Sequence, residues 1–237
     1  MTMEYNESVC LLADVIDSRK NRKYKQLHAL AGKLNNVFQK QLIVPFQVRA
    51  GDELYGVVEQ FQVGYDAFQH LYRLSKNKQI PFYVGVGFGT IYFEPEQNEA
   101  NANGPAIWRA ADALKMTKIK GEMSLMERKK AFQYIQRFDD TFKFFFYVDQ
   151  DLENNFLLNF YVYFLLEKIE QQTPRQREAI QLIEKYPTLT YEEIGKKLGY
   201  EGENIRIYVS NLLRRGEYHL IKEAEKELKR FLLTFKR

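Results

Sequence analysis

The sequence predicts an α+β domain of the ferredoxin-like type followed by a smaller all-α domain. Up to residue 172, strand and helix patterns follow in the order β-α-β-β-α-β, with further elements beyond. That order is typical of the split βαβ arrangement, in which two helices pack on one face of a sheet. After a Gln-Gln-Thr-Pro stretch at 171–174 the patterns are helical only. We therefore expect two domains, 1–172 and 173–237.

Hydrophobic periodicity gives the elements of the first domain. Short apolar runs predict strands, and apolar residues at helical spacing predict helices. The expected elements are a strand at 9–14, a helix at 22–41, strands at 46–50 and 54–58, a helix at 63–76, a glycine-broken strand pair at 80–93, a helix at 104–117, a hairpin within 131–148 and a helix at 151–171.

Composition limits the class of protein. With 45% hydrophobic and 28% charged residues, the chain has the balance of a folded globular protein. The single cysteine excludes an intramolecular disulfide, and no apolar run approaches the roughly 18 residues that span a bilayer. We expect a cytoplasmic protein with no membrane partner. The 18 Phe and 16 Tyr exceed the needs of one small core, which favours a homodimer.

An acidic turn lies between the two strands predicted within 46–58. A two-residue Gly51-Asp52 connection suits a hairpin, since glycine readily adopts positive φ. Asp52 and Glu53 stand at its tip, and Asp14 ends another apolar run. Carboxylates at the ends of neighbouring strands suit Mg²⁺ or Mn²⁺ and the phosphates that these ions carry. Taken alone, Gly-Asp is also simply a favourable turn.

Two further features of the first domain suit a phosphate ligand. Ser18 is placed to cap a helix, and basic residues including Arg19 and Lys20 crowd the same helix start, where a bound anion would offset their repulsion from the helix dipole. A solvated basic turn explains them equally well. The glycines at 85, 87 and 89 line one strand face, which permits close approach of a ligand or, more simply, of a packed helix.

Four segments in order, LLADV at 11–15, AGDELYGVV at 50–58, YVGVGFGTI at 83–91 and GPAIWRAADAL at 104–114, resemble the catalytic core of class III nucleotide cyclases, a palm-like domain. The whole chain resembles the SatD family more closely, through DVIDSR, AGDE and GPAIWRAADAL. The resemblance implies metal binding by Asp14 and Asp52, to which the acidic turn adds Glu53. The predicted nucleotide-binding residues are Asp17, Ser18, Arg19, Gly51, Gly104 and Arg109.

The chain departs from the cyclase pattern on one helix. Cyclases carry an asparagine there and, four residues later, an arginine that stabilises the transition state; Trp108 and Asp112 take these positions here. Arg109 is one residue away but is turned by about 100° on a helix. Loss of a preorganised charge at a transferring phosphoryl group costs orders of magnitude in rate. The departure therefore favours metal and phosphate binding over cyclase activity.

Residues 173–220 resemble the helix-turn-helix of sigma-factor and LuxR-type regulators. Pro174 takes a first helical position, where its missing N–H costs nothing, and Gly199 makes the turn. The expected inward-facing residues are Ile194 and Leu198 before the turn, and Ile205, Val209 and Leu212 after it.

The outward face of the second helix, from about 202 to 215, is expected to contact duplex DNA. Residues near its start suit base edges and residues near its end suit phosphates. The whole net charge of +4 lies from residue 173 onward, where 14 Lys and Arg face 10 Asp and Glu. Glu201 and Glu203 oppose this interpretation, and such units also serve as plain packing modules. The predicted DNA-binding residues are Asn204, Arg206, Ser210, Asn211, Arg214 and Arg215.

Two functions from different classes follow. The first is a DNA-binding regulator whose palm-like domain binds a nucleoside phosphate with Mg²⁺ or Mn²⁺. The second is a nucleotidyl cyclase or nucleotidyltransferase-type enzyme that uses Asp14 and Asp52, with the C-terminal domain for targeting. The departures from the cyclase pattern and the helix-turn-helix favour the first, and whether the chain is an enzyme stays open.

Overall fold

A computed structural model describes residues 3–21, 23–93, 102–118 and 140–235. The chain divides into two compact units, Met1–Phe160 together with Lys229–Arg237, and Tyr161–Leu228. The division falls inside the helix Leu152–Glu170. The domain boundary predicted at residue 172 stays a prediction.

The described residues form strands and helices in the following order. They are β1 (Met3–Val15), α1 (Ser18–Asn21), α2 (Tyr24–Phe38), β2 (Leu42–Arg49), β3 (Glu53–Glu59), α3 (Phe61–Lys78), β4 (Phe82–Phe93), α4 (Pro105–Lys118), β5 (Phe142–Tyr147), α5 (Leu152–Glu170), α6 (Pro174–Lys185), α7 (Tyr191–Lys197), α8 (Ile205–Arg215) and α9 (Tyr218–Leu233).

The strands form one five-stranded sheet in the order β2-β3-β1-β4-β5. The first four strands of this order run antiparallel to their neighbours, and β5 lies parallel to β4. Helices connect β1 to β2 and β3 to β4. This is the split βαβ order, so the predicted α+β, ferredoxin-like fold is confirmed.

Three predicted elements are wrong in detail. In place of the broken pair, Phe82–Phe93 form the single strand β4, whose ladders to β1 and β5 continue through Gly85 and Gly87. The helix predicted at 22–41 is preceded by the separate turn α1 and begins after Lys23, which makes no side-chain cap. The first arm of the hairpin predicted within 131–148 lies outside the described residues, and its second arm is β5, which pairs in parallel with β4.

Helix α4 packs on β4 at backbone contact distance. A Cβ atom at Gly85 would overlap the carbonyl oxygen of Ala110, and one at Gly87 would overlap that of Ala106. Of the two explanations for the glycine stripe, helix packing is therefore the one that the structure shows. The same close contact fixes the position of every side chain that α4 presents.

The opposite face of the sheet is covered by α2 and α3. Phe68 of α3 makes ring contacts with Phe142, Phe144 and Phe146, alternate residues of β5. Phe145, which points the other way, contacts Phe156 of α5. The aromatic surplus of the sequence thus fills two layers, one on each side of β5.

Two asparagines of α5 take the place of a further strand beside β5. Asn159 accepts a hydrogen bond from the Phe146 N–H at 2.8 Å and donates to its carbonyl at 2.9 Å. Asn155 accepts from the Val148 N–H at 2.7 Å. Both asparagines are buried. They satisfy backbone groups that the edge of a sheet would otherwise leave unpaired.

The second unit contains a three-helix core built by α6, α7 and α8. Thr173 and Thr190 begin α6 and α7 with capping boxes, each closed by a side chain three residues later. Gly199 has φ of +79°, as the predicted turn requires. Leu213, rather than the predicted Leu212, is the buried residue of the last helical turn of α8. The buried residues of this core are Ala179, Ile180, Ile194, Leu198, Val209 and Leu213.

Within the described ranges, no helix combines the length and the apolar character needed to cross a membrane.

Replacing Asn159 with Ala should destabilise the first unit, which contains the sheet and is called the sheet unit below. The variant leaves the N–H and C=O of Phe146 buried without partners, and each unsatisfied group costs about 1–3 kcal/mol. We expect the free energy of unfolding, measured by urea denaturation, to fall by about 2–4 kcal/mol. Asn154→Ala, on the same helix, is the matched control and should change it by less than about 0.5 kcal/mol. Equal losses in the two variants would contradict this role of Asn159.

Candidate functional site

Three carboxyl-bearing residues meet where β1 and β3 reach the hairpin turn. Asp14 and Glu53 are register partners in the antiparallel β1–β3 ladder. Side chains of directly opposite residues share one face, with Cβ atoms about 5 Å apart. Asp52 precedes Glu53, and its carbonyl accepts a hydrogen bond from the Val15 N–H at 3.2 Å. The predicted metal-binding residues therefore lie together at one end of the sheet.

The turn has three residues rather than the predicted two. Arg49 and Glu53 are the last paired residues of the β2–β3 ladder, so Ala50, Gly51 and Asp52 make the connection. Ala50 and Gly51 both have positive φ, of 48° and 89°. Glycine adopts this conformation without steric cost, as the sequence predicted for Gly51. The turn holds Asp52 beside the end of β1.

A lysine of the chain itself pairs with one of these carboxylates. Lys118, the last residue of α4, places its Nζ on Oδ2 of Asp14. On the neighbouring strand the Arg49 guanidinium lies over the Tyr55 ring, with 3.2 Å between Cζ and the ring centroid. The carboxylates are thus accompanied by cations that the sequence analysis did not assign to the site.

The electrostatic environment of Glu53 reflects this mixture of charges. Burial raises the pKa of Glu53, and the negative charges of Asp14 and Asp52 raise it further. The positive charges of Arg49 and Lys118 act in the opposite direction. The net effect is upward, so Glu53 holds its proton more readily than an exposed glutamate does.

The carboxylates of Asp14, Asp52 and Glu53 can be compared with the ligands that a divalent cation requires. Carboxylate oxygens suit Mg²⁺ and Mn²⁺. In the part of the chain that the structure describes, however, no three His, Cys, Asp or Glu side chains are grouped to hold a metal ion. Mg²⁺ often takes one or two carboxylates and completes its shell with phosphate oxygens and water. Asp14 and Glu53 therefore fit a metal that arrives with a phosphate, and do not fit an all-protein metal centre.

The predicted nucleotide-binding residues fall into two groups. Asp17, Ser18 and Arg19 follow the end of β1, and Gly51 lies in the hairpin turn. Gly104 and Arg109 belong to the start of α4.

The two groups are separated along the sheet. Arg109 contacts Phe88, whose partner on β1 is Val9. Val9 lies five residues before Asp14, a distance of about 17 Å along an antiparallel strand. The structure therefore does not bring Arg109 to the carboxylates.

Arg109 is engaged with the backbone. Its Nη1 donates to the carbonyls of Phe88 at 2.7 Å and Val148 at 2.9 Å. Its neighbours at the cyclase asparagine and arginine positions also have local partners. Trp108, 52% exposed, donates its Nε1–H to Asn103 at 2.7 Å, and Asp112 pairs with Lys115. The side chains at this end of α4 are therefore engaged in contacts within the chain itself.

The anion site predicted near Ser18 stays a prediction. It placed Ser18 at a helix start, whose free N–H groups can bind an anion. In the structure, α1 is a single turn of four residues, and the longer α2 begins only at Tyr24. Asp17, with φ of 52°, directs its carbonyl to the Lys20 N–H at 2.8 Å.

A sequence profile of the SatD family matches residues 8–137, more than half of the 237-residue chain. The chain belongs to the SatD family. No curated protein matches its sequence.

Solved structures of cyclases resemble the SatD chain at low identity. The catalytic core of a rhodopsin-guanylyl cyclase in complex with ATPalphaS shares 12% identity over 48% of this chain and 74% of its own, with a TM-score of 0.38. A bacterial light-regulated adenylyl cyclase shares 11% identity over 49% and 41%, with a TM-score of 0.39. The guanylate cyclase domain of RhGC from Catenaria anguillulae in complex with GTP shares 11% over 48% and 74%, with a TM-score of 0.38. Such low values carry no functional argument, and the fold of the SatD chain rests on its own strand order.

In the second unit of the SatD protein, α8 has two distinct sides. Ile205, Val209 and Leu213 are buried, and Val209 and Leu213 belong to the three-helix core. Asn204, immediately before α8, makes no side-chain cap hydrogen bond. Of the predicted DNA-binding residues, Asn204, Arg206, Ser210, Arg214 and Arg215 are exposed and Asn211 is half-buried.

Sequence reasoning missed two exposed apolar side chains of α8. Ile207 is 58% and Tyr208 51% exposed, and the Tyr208 ring stacks on Tyr200 with 5.6 Å between centroids. Helical spacing could have found Ile207, because two positions after the buried Ile205 is about 200° around the helix. No local pattern could have paired Lys118 with Asp14, since 104 positions separate them.

Replacing Glu53 with Gln should change the pH dependence of stability. Because the pKa of Glu53 is raised in the folded state, that state binds more protons than the unfolded one between the two pKa values, and stability falls as pH rises through this window. We expect Glu53→Gln to be more stable than the wild type at pH 7, by less than about 1 kcal/mol for this partly exposed group. The difference should vanish near pH 3, well below the ordinary glutamate pKa of about 4.3.

Thermal unfolding followed by circular dichroism at several pH values measures this difference. Glu59→Gln, at the other end of β3, controls for the change of side chain. A pH profile of Glu53→Gln that coincides with the wild type would exclude the proposed role of burial at Glu53.

Proposed function

We propose that this SatD protein is a DNA-binding regulator whose sheet unit binds a nucleoside phosphate together with Mg²⁺ or Mn²⁺. The observation that carries the proposal is the two-sided character of α8. One side of this helix is buried in the three-helix core, and the other presents Arg206, Ser210 and Arg214 at four-residue spacing to solvent. The C-terminal helix-turn-helix interpretation and its DNA-binding role belong to this proposal.

The residue types along α8 support groove binding. Arginine and asparagine read base edges through paired hydrogen bonds, and recognition helices present their N-terminal residues to the bases. Asn204 and Arg206 stand at that end. Ile207 beside them offers an apolar surface of the kind that contacts thymine methyl groups. Arg214 and Arg215, in the last turn, are suited to phosphates.

The modest charge of this region implies assistance from a second copy. Non-specific affinity for DNA grows with the number of phosphates neutralised, and the surplus here is only +4. Glu201 and Glu203, both exposed before α8, reduce it further. A homodimer that engages two half-sites, about 34–36 Å apart, would supply the missing affinity and specificity.

The carboxylate end of the sheet supports phosphate binding in the same proposal. Asp14 and Glu53 would hold the divalent ion, with Asp52 at the adjoining turn. Such an ion neutralises and orients phosphate oxygens when bound. Lys118, which pairs with Asp14, would donate to a phosphate oxygen if Asp14 held the metal.

An enzyme that forms or cleaves phosphate esters is the second candidate. It is favoured by the direct opposition of Asp14 and Glu53. Phosphoryl transfer also needs preorganised positive charge at the transferring group. Arg109 donates to two backbone carbonyls and lies along the sheet from the carboxylates, which supports binding over turnover.

Replacing Arg206 should reduce specific DNA binding. Because Arg206 is assigned to base edges, Arg206→Ala should cost about 1–3 kcal/mol at the preferred site and much less elsewhere. The measurement is fluorescence anisotropy with genomic fragments against a scrambled duplex. Lys226→Ala, on α9 and paired with Glu223, removes the same charge as a control. Absence of binding to any duplex below about 10 μM in low salt, where non-specific binders register, would refute the DNA-binding proposal.

Replacing the carboxylates should abolish metal-dependent nucleotide binding. Calorimetry with Mn²⁺ and nucleoside triphosphates is expected to show binding that Asp14→Asn/Asp52→Asn removes. Lys118→Gln should tighten the binding of Mn²⁺ alone by about two- to fivefold, because it removes a competing cation from a partly exposed pair. Lys115→Gln, on the same helix, is the control. Unchanged binding in the double variant would eliminate this site.

The proposed homodimer is tested by measuring the molecular mass in solution. Light scattering at micromolar concentration should give twice the 28.2 kDa of one chain. A single-chain mass under these conditions would remove the dimer from the proposal.

A further inference from the structure

A polar cleft of about 420 Å³ lies within the second unit, beside the end of α5 and the turn from α8 to α9. Three of the residues that line it are cationic: Lys168 comes from α5, and Arg214 and Arg215 close α8. Gln171, Gln172 and Glu217 add further polar groups. The cleft thus combines residues of the predicted DNA-contacting helix with residues that the sequence analysis did not consider.

The walls of the cleft are joined by direct bonds. Buried Gln172 donates its Nε2–H to the Gly216 carbonyl at 2.7 Å. Lys168 pairs with Glu217 at 2.8 Å. These two contacts hold the end of α5 against the α8–α9 turn, so the cationic groups are held in a defined arrangement.

The cleft carries uncompensated positive charge. Lys168, Arg214 and Arg215 are opposed by Glu217 alone, which leaves a net charge of +2 in the lining. Arg214 donates to the neutral amide of Asn211 at 3.1 Å. In the described part of the structure, neither arginine forms an ion pair with a carboxylate.

The nearby helix-end carbonyls already have donors. The Leu212 carbonyl accepts from the Gly216 N–H at 2.9 Å, and that of Arg214 accepts from the Glu217 N–H at 3.2 Å. Backbone carbonyls of a helix end commonly attract basic side chains. Because the backbone satisfies these two carbonyls, they do not compete with a ligand for the guanidinium groups of Arg214 and Arg215.

We propose that this cleft binds a phosphate group. Guanidinium groups match phosphate oxygens through paired, charge-assisted hydrogen bonds. A phosphomonoester carries about −1.5 to −2 at neutral pH, which balances the lining. The source of the phosphate is a DNA backbone or a free phosphomonoester. The first source rests on the proposed function, because it makes the cleft a positioning contact that seats α8 on the duplex.

Replacing Glu217 should change phosphate binding in the opposite direction to replacing an arginine of the cleft. Its carboxylate occupies Lys168 and repels a phosphate. Glu217→Gln raises the net charge of the lining to +3 and frees Lys168, so it should tighten phosphate binding. Arg215→Gln removes a donor and should weaken it. A purely structural role of these residues predicts loss or no change in both variants.

The experiment compares full-length wild type, Arg215→Gln, Glu217→Gln and the control Lys226→Gln. One arm follows inorganic phosphate and 5′-AMP by ³¹P NMR line broadening. The other measures anisotropy of a random duplex across a salt series. We expect Arg215→Gln to weaken, and Glu217→Gln to strengthen, binding by about two- to fivefold in at least one arm. Thermal unfolding of each variant checks that the unit remains folded.

The outcomes separate the sources. Opposite effects in the NMR arm alone identify a free phosphomonoester. Opposite effects in the DNA arm, with a salt slope reduced by about 0.9 in Arg215→Gln, identify a backbone phosphate. If Arg215→Gln and Glu217→Gln both behave like Lys226→Gln in both arms, the proposal that the cleft binds phosphate is refuted, even where the wild type binds DNA. Phosphate binding by a wild type that does not bind DNA would instead refute the proposed function and leave the cleft standing.

Discussion

The close packing of α4 on β4 is the constraint on which the sheet unit depends. Gly85 and Gly87 carry no side chains, so the helix backbone rests directly on the strand. This contact fixes the rotation of α4 and its distance from the sheet. At its C-terminal end, α4 thereby brings Lys118 to Asp14. At its other end Arg109 reaches two carbonyls at the margin of the sheet. Side chains at these strand positions would lift the helix and disconnect both contacts.

This placement gives the two ends of α4 different consequences. Near the carboxylates it supplies Lys118, which in the proposed function would exchange with a metal ion or turn toward a phosphate. Nine residues earlier, about 13 Å along the helix axis, its arginine is held by backbone oxygens. A site for phosphoryl transfer would need the carboxylates with their lysine and also the arginine around one reacting atom. Their separation supports the proposal that the sheet unit binds a nucleoside phosphate without converting it.

The sequence predicted the fold well because its signals were local. Periodicity and the acidic turn were enough to obtain the order of the antiparallel strands, and the glycine stripe indicated close helix packing. The parallel pairing of β5 was missed because an aromatic run of period two does not distinguish parallel from antiparallel partners. Asn159, which completes the edge of β5, was missed because a polar residue in an apolar helix has no strand signal.

The candidate sites were predicted in part for a similar reason. The common location of Asp14, Asp52 and Glu53 was predictable because strand ends and turns have sequence signals, and the exposed face of α8 because helical spacing is regular. The Lys118–Asp14 pair joins distant parts of the chain, and the cleft at Lys168 and Glu217 joins the end of α5 to the α8–α9 turn. Contacts of this kind depend on tertiary packing, which single-sequence patterns do not encode.

The most direct test of whether the sheet unit binds rather than converts nucleotides is mass spectrometry of the products. Purified protein is incubated with Mn²⁺ and each nucleoside triphosphate, and both the protein-bound and free nucleotides are identified. The account predicts recovery of unchanged nucleotide, retained by the wild type and lost from Asp14→Asn. Accumulation of a cyclic nucleotide or pyrophosphate with the wild type, absent with Asp14→Asn, would contradict it.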